Sequence, residues 1–462
     1  MAFSENDDPC PPAGMRSAGG GRVTAFRSSR WDAVYAASRR RWMSGIRAAL
    51  SARATQVVAG PRAPGRSRLG VVCPMRWPGW TGAIAAALLA FATPAFAAPP
   101  SAVQAANVRV FDKAWSLVAR RYWDRDLHGL DWAAERDRFL PAARDATDTR
   151  ALYAAINALL ARLGDSHVYA VSPERRDFAR AVGKGEAESG FGFDAYESGG
   201  RWRVRAVRPE GPAARAGMRI GWVLVSVDGR PVDVDAHFGT ADTATLVLED
   251  EFGRRHTLML EGEPLPPVPS RRALRLGGGV LLLAFDQFAP GDDRWLRREI
   301  EDIPDLRGVI LDLRENEGGE AEVLDRVAGL FANGRQVVLR LNARSERAEK
   351  TSGRAVWLGP LAVLIGPRSA SAAEALAAFL DESERAQTVG ERTAGALTAG
   401  AEHRLPDGGR LTVAEHDVRT PGGARLEAVG LAPRYPVTPT LAQLRAGADP
   451  ALAKAVALVS DR

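Results

Sequence analysis

The sequence is poor in cysteine and lysine. Its 462 residues include only Cys10 and Cys73, which excludes a small domain stapled by disulfides. It contains no His-Glu-x-x-His motif and no cysteine cluster, so the common zinc-binding patterns are absent. No Gly-Lys-Ser or Gly-Lys-Thr sequence is present, which excludes a nucleotide phosphate loop. The length instead predicts two or three globular domains. The four lysines are Lys113, Lys184, Lys350 and Lys454.

The excess of positive charge is confined to the N-terminal end. The formal net charge is +6, but residues 1–76 hold 13 Arg and no Lys against four acidic residues. The remainder therefore carries 49 basic and 52 acidic residues. Binding to nucleic acid needs clustered basic charge, so we expect no nucleic-acid partner for the body of the protein.

Residues 75–98 have the pattern of a secretory signal peptide. A short basic start is followed by an apolar run at 82–91 and by Ala-Phe-Ala at 95–97, which predicts cleavage after Ala97. A membrane-spanning helix is the rival interpretation, but the run is shorter than the ~20 residues that span a bilayer. We expect Met75 to be the true start, residues 1–74 to be a leader outside the native product, and the mature protein to be exported to the periplasm without a membrane span.

The hydrophobic pattern divides the mature chain into four parts. Apolar residues at helical spacing predict a helical domain at 98–182, and short alternating strands follow at 188–265. Strands and helices alternate at 266–440, which predicts an α/β domain with much of its sheet parallel. Residues 441–462 are expected to form a C-terminal helix. The core strands are expected at 279–285, 308–313, 337–341 and 361–365, and its helices at 295–303, 321–331 and 372–380.

One serine motif lies at a strand-to-helix turn. The sequence Gly-Pro-Arg-Ser-Ala-Ser-Ala-Ala-Glu at 366–374 follows the apolar strand 361–365 and opens a helix. Ser371 would be well placed to attack a carbonyl, because the free N–H groups of the helix start would stabilise an oxyanion. Ser371 and Glu374 also form the Ser-x-x-Glu pattern of a capping box, which needs no catalysis. The residues alone leave both interpretations open.

Two further motifs supply partners for a nucleophile. Ser166-His167, in Leu-Gly-Asp-Ser-His at 163–167, offers an imidazole base beside a hydroxyl that can help to orient it. Asp-Leu-Arg-Glu-Asn-Glu-Gly-Gly at 312–319 follows a strand, and its paired glycines allow close approach of the backbone to a substrate. A surface histidine and a solvated turn are the alternatives for these two motifs.

These motifs together resemble the carboxy-terminal processing (tail-specific) serine peptidases. The resemblance rests on Ser-Ala-Ser-Ala-Ala-Glu at 369–374, on the motif at 312–319, on Gly-Glu-Arg-Thr-Ala-Gly at 390–395 and on the segment between the helical and α/β parts. It covers nearly all of the mature chain. It implies a multidomain α/β fold, with a catalytic core like that of ClpP and crotonase, an inserted PDZ domain and an N-terminal helical domain.

The inserted segment resembles a PDZ domain. Gly190, Phe191, Gly192 and Phe193 match its carboxylate-binding loop, and residues 211–218 and 223–231 match its core. Such domains add a peptide strand to a sheet edge and hold a terminal carboxylate on backbone N–H groups. The resemblance implies that this domain docks substrate C-termini or regulates activity. A packing domain that has lost its groove is the alternative.

The base departs from the best-known branch of the family. There a lysine lies 25 residues after the nucleophile, a position that Ala396 occupies here, and no lysine of this chain lies in that loop. The sequence is instead similar to the branch of the tricorn protease core, with a Ser-His-Ser-Glu tetrad. That similarity implies Ser371 as nucleophile, His167 as general base, and Ser166 and Glu427 as orienting partners.

Two details of this assignment depart from the family or stay open. Relatives usually have glycine after the glutamate, where this chain has Ala428 next to Glu427. The resemblance implies an oxyanion hole formed by the Ala372 N–H and by an N–H of Gly318 or Gly319. No metal or cofactor is required for this chemistry.

The expected function is that of an exported serine endopeptidase acting on peptides or proteins through an acyl-enzyme. A catalytically inactive peptide- or ligand-binding protein on the same scaffold is the main alternative, because a fold alone does not establish activity. Hydrolysis of another acyl compound is a third. The sequence leaves the oligomeric state and the natural substrate open.

Overall fold

A computed structural model describes residues 101–177, 189–198, 201–232, 243–265, 269–342 and 346–460. The expected leader, the signal peptide with its cleavage site at Ala97, and both cysteines lie outside these residues. Within the described ranges, no helix combines the length and the apolar character needed to cross a bilayer.

The described elements form a helical unit, a small β unit and an α/β core. The helices are α1 (Ala102–Arg121), α2 (Trp132–Arg144), α3 (Thr149–Leu160), α4 (Pro212–Arg215), α5 (Asp292–Glu301), α6 (Ala321–Leu330), α7 (Ala372–Glu382), α8 (Leu441–Arg445) and α9 (Pro450–Ser460). The strands are β1 (Tyr169–Val171), β2 (Ser189–Gly190), β3 (Phe193–Ser198), β4 (Arg201–Val207), β5 (Val223–Val227), β6 (Arg230–Pro231), β7 (Thr243–Glu249), β8 (Arg255–Glu261), β9 (Glu263–Pro264), β10 (Arg271–Leu276), β11 (Val280–Phe285), β12 (Gly308–Asp312), β13 (Val337–Asn342), β14 (Glu346–Lys350), β15 (Leu361–Ile365), β16 (Gln387–Gly390), β17 (Thr398–Arg404), β18 (Arg410–Arg419) and β19 (Tyr435–Pro436).

The helical unit packs on a strand of the core. Helix α1 begins at a capping box between Ser101 and Gln104, and α3 begins at Asp148, whose carboxylate accepts the Ala151 N–H. The apolar faces of α1 and α3 are buried in one cluster with residues of β18. Strand β1, which follows α3, pairs antiparallel with β18, with Tyr169 opposite Thr412. This pairing fixes the turn before β1, which carries the Ser166-His167 motif, against the core.

The β unit is a sheet with an open edge. Its strand order is β3-β4-β5-β7-β8, so β3 has only one neighbour among the described strands. A separate short pair joins β2 to β9, with Ser189 opposite Pro264, and closes the unit where the chain enters and leaves it. Its core contains Trp202 and Trp222 among buried aliphatic side chains.

The core sheet confirms the expected parallel α/β organisation. Its order is β10-β11-β12-β15-β16-β19, and every neighbouring pair is parallel except β10 with β11. Strand β11 is apolar along its whole length because both faces are covered. Leu281 and Leu283 pack in the cluster that includes α6 and α7, whereas Val280 and Leu282 pack in the cluster that includes α9.

A second sheet and the C-terminal segment complete the core. Strands β1, β18, β13 and β14 lie in that order, and β17 also pairs with β18. The segment 441–462, expected as one helix, contains two. Gly447, at φ +68°, lies between α8 and α9, and this left-handed conformation ends the first helix.

Candidate active site

Ser371 lies at a strained turn between β15 and α7. Its backbone has φ +54° and ψ −118°, outside the regions that residues with a Cβ normally adopt. Such strain costs on the order of 1–3 kcal/mol and is concentrated at functional sites. The side chain is half-buried, and the Ser371 N–H donates to the Ala396 carbonyl at 3.0 Å. The turn therefore presents this hydroxyl at the start of a helix, where an attacking group would be placed.

The buried carboxylate of Glu374 ties this turn to a second one. It is fully buried and accepts the Ser371 N–H at 3.2 Å, as the capping pattern predicted. It also accepts the Thr393 hydroxyl at 2.6 Å and the N–H groups of Gly395 at 2.8 Å and Ala396 at 2.7 Å. The capping interaction is therefore part of the architecture of the turn and leaves the nucleophile interpretation intact.

The neighbouring serine of the motif has a structural role. Ser369 is fully buried, and its hydroxyl donates to the Leu313 carbonyl at 2.7 Å while accepting the Gly366 N–H at 3.0 Å. These contacts join the turn after β15 to the end of β12. Of the two serines in the motif, Ser371 alone has a partly exposed side chain.

Ser166, His167 and Glu427 come together in the structure. The Ser166 hydroxyl lies 2.9 Å from His167 Nδ1 and donates to Glu427 Oε2, also at 2.9 Å. The Ser166 N–H donates to Glu427 Oε1 at 2.8 Å. Ser166 and Glu427 are buried, at 4% and 2% exposure. The three side chains therefore form a continuous hydrogen-bonded chain that ends at the imidazole.

The segment that contacts Ser371 also contacts His167. Ala396 bonds the Ser371 N–H through its carbonyl, and two residues later the Thr398 hydroxyl lies 3.0 Å from His167 Nδ1. Two residues of extended chain span roughly 7 Å. The start of β17 thus brings the serine turn and the histidine turn to the same place in the core. Ala396 is buried, and both its N–H and its carbonyl are bonded within this turn.

Ala428 adopts the conformation for which glycine is usually selected. Its φ is +64°, in the left-handed region, where a residue with a Cβ costs roughly 1–2 kcal/mol. Its N–H donates to the Gly395 carbonyl at 2.8 Å. The turn that carries Glu427 therefore forms without the glycine that relatives usually have.

The paired glycines lie against the serine turn. A Cβ on Gly318, whose φ is +105°, would lie 2.6 Å from the Ser371 Cβ and 3.1 Å from the Ala372 nitrogen. The Gly318 N–H donates to Asn316 Oδ1 at 2.9 Å. Gly319 forms a bridge with Phe288, in which the neighbouring Gly318 carbonyl accepts the Phe288 N–H at 2.8 Å. The close approach requires glycine at position 318.

Three domain families match this chain. The model of peptidase family S41 matches residues 279–437, that of the tricorn protease C1 domain matches residues 105–161, and that of the PDZ domain matches residues 203–251. The chloroplastic C-terminal processing peptidase of Tetradesmus obliquus is 29% identical, over 74% of this chain and 80% of that protein. The carboxy-terminal-processing protease of Bartonella bacilliformis is 26% identical, over 65% and 73%. The solved structure of a photosystem II D1 C-terminal processing protease superimposes with a TM-score of 0.55 at 25% identity, covering 72% and 93% of the two chains.

The chain is a serine peptidase whose core, at residues 279–437, matches peptidase family S41. The resemblance to the carboxy-terminal processing serine peptidases is thereby confirmed, as are the fold class and the enzyme class. The PDZ domain lies between the helical unit and the catalytic core of the peptidase, as expected.

The carboxylate-binding loop expected in the PDZ domain joins β2 to β3. Gly190 ends β2, Phe193 begins β3, and Phe191 between them is buried with its carbonyl accepting the Ala213 N–H at 2.9 Å. Gly192 has φ +76°, and a Cβ there would lie 2.9 Å from the Gly211 Cα. The loop lies directly before the edge strand to which a peptide would add.

An ionic network joins the PDZ domain of the peptidase to its serine turn. Arg368, three residues before Ser371, donates to Asp194 of β3 at 3.0 Å and to Glu317 at 2.8 Å. Arg205 of β4 bonds the same Asp194 and also Glu315. Burial alone would raise the pKa of Glu315, but the charges of Arg205 and Arg368 hold it below its usual value. Arg368 is 7% exposed, so it joins β3, the motif at 312–319 and the serine turn within the protein interior.

A carboxyl group of unusual pKa lies beside the motif at 312–319. Burial, followed by the charge of Glu315, raises the pKa of Asp286 to about 7. Asp286 directly follows β11. Its carbonyl accepts the Glu317 N–H at 3.2 Å, so Asp286 contacts the motif at 312–319. The peptidase therefore carries a group that titrates near neutral pH next to the glycine pair.

The sequence did not indicate the partners of several residues that organise this site. Thr398 and Asp165 contact His167 and its turn, Arg368 contacts the PDZ domain, and Glu374 contacts far more than the helix start. Asp165 and Glu374 fall within the motifs considered, but their partners lie far away in the chain. The pairing of β17 with β18, and of β1 with β18, brings Thr398 into reach of Asp165.

Proposed function

We propose that this peptidase cleaves peptide bonds with Ser371 as nucleophile and His167 as general base. Ser166 and Glu427 would orient the imidazole. The observation that carries the assignment is the hydrogen-bonded chain Glu427–Ser166–His167, joined through β17 to a strained serine turn. Together these contacts supply the three parts that acyl transfer requires, which are a nucleophile, a base and a group that orients the base.

The proposed reaction proceeds through an acyl-enzyme. His167 Nε2 accepts the proton of the Ser371 hydroxyl as its oxygen attacks the peptide carbonyl, and the imidazolium then gives that proton to the departing amine. Water, deprotonated by the same nitrogen, releases the acyl group and restores the Ser371 hydroxyl. The Ala372 N–H and an N–H of the Gly318–Gly319 pair would stabilise the oxyanion. Gly318 would serve only if its amide turned away from Asn316 Oδ1.

Covalent labelling tests this assignment without knowledge of the natural substrate. A fluorophosphonate should modify wild-type protein at Ser371, as mapped by mass spectrometry, and Ser371→Ala and His167→Ala should each abolish labelling. His403→Ala is the matched control, because His403 also bonds a carboxylate, Glu415, at 2.9 Å in the same sheet. Full labelling of His167→Ala, or labelling at another serine, would contradict the assignment.

We further propose that the PDZ domain docks peptide C-termini along β3. The open edge of β3 and the glycine loop before it support this role. Strand β3 also contacts the serine turn, because its Asp194 accepts a hydrogen bond from Arg368. A peptide that adds to β3 would therefore pair with the strand that contacts this turn. Docking and regulation would then share one structural element.

A matched pair of peptides tests the docking. One unstructured peptide, prepared with a free and with an amidated C-terminus, would be titrated into full-length Ser371→Ala protein by calorimetry. The free acid should bind more tightly by about tenfold, because the loop donates charge-assisted hydrogen bonds to a carboxylate. Gly192→Ala should remove this preference, whereas Gly229→Ala, at φ +73° with no atom within 4 Å, should keep it. Equal affinity of both peptides for the Ser371→Ala protein with an unchanged glycine loop would refute docking of C-termini.

Export to the periplasm after cleavage near Ala97 is part of the same proposal. It is supported by the pattern of residues 75–98. N-terminal sequencing of the protein from the native host should give Ala98 as the first residue. A peptide that crosses the junction in the purified native protein would contradict cleavage there.

A further inference from the structure

We propose that Asp165 and Thr398 form a second positioning arm on His167, parallel to the arm of Glu427 and Ser166. This inference rests on the proposed role of His167 as general base. The Thr398 hydroxyl lies 3.0 Å from His167 Nδ1 and donates to Asp165 Oδ1 at 2.8 Å. Both arms thus have the same chemistry, a hydroxyl in contact with the imidazole and a buried carboxylate behind it.

Counting hydrogens assigns the tautomer of the imidazole. Each hydroxyl has one hydrogen, which Ser166 gives to Glu427 and Thr398 gives to Asp165. Both hydroxyl oxygens can then only accept from His167 Nδ1, so Nδ1 carries the hydrogen and shares it between them. Nε2 consequently holds the lone pair that a general base needs. Two carboxylate-backed acceptors also stabilise the imidazolium formed during attack.

Several hydrogen-bond donors hold the Asp165 carboxylate in place. It is 2% exposed, and its Oδ2 accepts the Tyr122 hydroxyl at 3.1 Å and the Trp123 ring N–H at 3.2 Å. Burial and the charge of Asp165 raise the pKa of Tyr122 well above its usual value, so the phenol stays a donor. Asp165 Oδ1 also accepts the His167 N–H at 2.9 Å. A carboxylate with this many donors has little freedom to rotate away from Thr398.

The core positions Thr398, whereas Asp165 and the imidazole of His167 come from the turn that follows the helical unit. Thr398 begins β17 and lies opposite Asp417 of β18, and the other end of β18 pairs with β1, just after His167. Thr398 is 2% exposed, so its hydroxyl is desolvated. Thr398 and Asp165 act through His167 and do not need to touch a substrate, so they are positioning residues.

Three substitutions of Thr398 separate the effect of its hydroxyl from the effect of its side-chain shape. Thr398→Val keeps the shape and removes the hydroxyl, Thr398→Ser keeps the hydroxyl and removes a methyl group, and Thr398→Ala removes both. The probe is a fluorophosphonate, with the maximal rate and the half-saturating concentration measured separately from about pH 5 to pH 9. Thr388→Val is the matched control, because the fully buried Thr388 hydroxyl likewise donates to an aspartate, Asp381, at 3.0 Å.

We expect the maximal rate to follow the hydroxyl. Thr398→Val and Thr398→Ala should lower the maximal rate by about tenfold with the half-saturating concentration unchanged, because His167 Nδ1 loses one acceptor while Ser166 still accepts. Thr398→Ser should retain the maximal rate. The acid-side midpoint of the rate should move to lower pH in Val and Ala, because the imidazolium loses one acceptor. Thr388→Val should match wild type. Ser166→Ala with Thr398→Val should lose more than the product of the two single losses, because Nδ1 then has neither acceptor.

The outcomes distinguish this inference from the proposed function. The second arm would be overturned if the maximal labelling rate followed the shape of the side chain, with Thr398→Val like wild type and Thr398→Ser impaired. It would also be overturned if the loss in the double variant equalled the product of the two single losses. Either result leaves the proposed function standing provided that Ser371→Ala and His167→Ala are inactive. Labelling that survives in His167→Ala would instead remove the basis of both.

Discussion

The serine half and the histidine half of the proposed site are held in place by different interactions. Around Ser371, backbone groups and glycine clearances dominate, with Gly318 in contact with the serine and Ala396 bonded to its N–H. Around His167, side-chain hydroxyls and carboxylates dominate, and they join residues 231 to 261 positions apart. The space between Gly318 and Ser371 is lost completely when a Cβ is added to the glycine. A pair of hydrogen-bonded arms can lose one member and keep the other.

The strongest test of this contrast adds one methyl group to the serine half. Gly318→Ala would place a Cβ 2.6 Å from the Ser371 Cβ and 3.0 Å from the Ala370 carbonyl. We expect the rate of fluorophosphonate labelling to fall about 10²–10³-fold, because the added Cβ would displace Ser371 and, at 3.1 Å, the Ala372 N–H proposed as an oxyanion donor, and loss of one such donor costs about that much. Gly334→Ala separates clearance from backbone strain, because Gly334 has φ +76° but no atom within 4 Å. Equal effects of the two substitutions would contradict the importance of the clearance.

A second test removes charge from the carboxylate that joins two turns of the serine half. Glu374→Gln replaces an oxygen by an NH₂ group among four donors, among them those of Ser371 and Thr393. We expect unfolding free energy to fall by about 1–3 kcal/mol, because buried donors lose their acceptor, together with the labelling rate. Glu382→Gln is the matched control, since Glu382 accepts the exposed Gly422 N–H. Glu374→Gln protein as stable and active as wild type would show that the turn is held by the backbone alone.

A third test concerns pH and a charge beside the serine half. Because burial raises the pKa of Asp286 to about 7, above its value in an unfolded chain, its contribution to stability is present at low pH and is lost as pH rises through 7. Asp286→Asn should therefore be more stable than wild type at pH 8. The expected gain is at most a few kcal/mol, since a pKa unit corresponds to about 1.4 kcal/mol.

Denaturant unfolding across pH measures this effect. Burial and the charge of Glu349 raise the pKa of Asp325 to about 6. Because Asp325 remains in the Asp286→Asn protein, the unfolding free energy of that protein should still fall with rising pH, but with a smaller slope than in wild type. Asp302→Asn, at an exposed position directly after α5, is the control for the removal of one carboxyl group. Parallel stability curves for Asp286→Asn and wild type would show that Asp286 does not titrate as inferred.

The two halves also differ in how far the sequence could predict them. The serine turn follows from local features, because an apolar strand, a capping pattern and a helix are adjacent at 361–382, and the structure has the strand at Leu361–Ile365. The assignment of Ser166, His167 and Glu427 came from the resemblance, and the structure brings these residues into contact. Their catalytic roles remain proposals.

Thr398, Asp165 and Arg368 could not be predicted as partners. Their contacts depend on sheet register and domain packing, as in the bond between Arg368 and Asp194, 174 residues apart. A one-residue slip of β17 against β18 would turn Thr398 to the opposite face of the sheet. Local periodicity contains no information about such a register. A hydroxyl residue at the start of a strand is too common to indicate a role by itself.

The smallest effect is expected in the turn of the histidine half that carries Glu427. Ala428→Gly should relieve the left-handed strain at φ +64° and raise the unfolding free energy by about 1 kcal/mol, reduced by the greater freedom of glycine in the unfolded chain. Glu384→Gly, at φ +53° after α7, is a matched position away from the site and should gain a similar amount. A larger gain at Ala428, accompanied by faster labelling, would mean that strain in this turn limits how well Glu427 holds Ser166. A loss of stability at Ala428 alone would mean that its methyl group contributes packing that outweighs the strain, and that the histidine half depends on side-chain contacts even in its backbone turn.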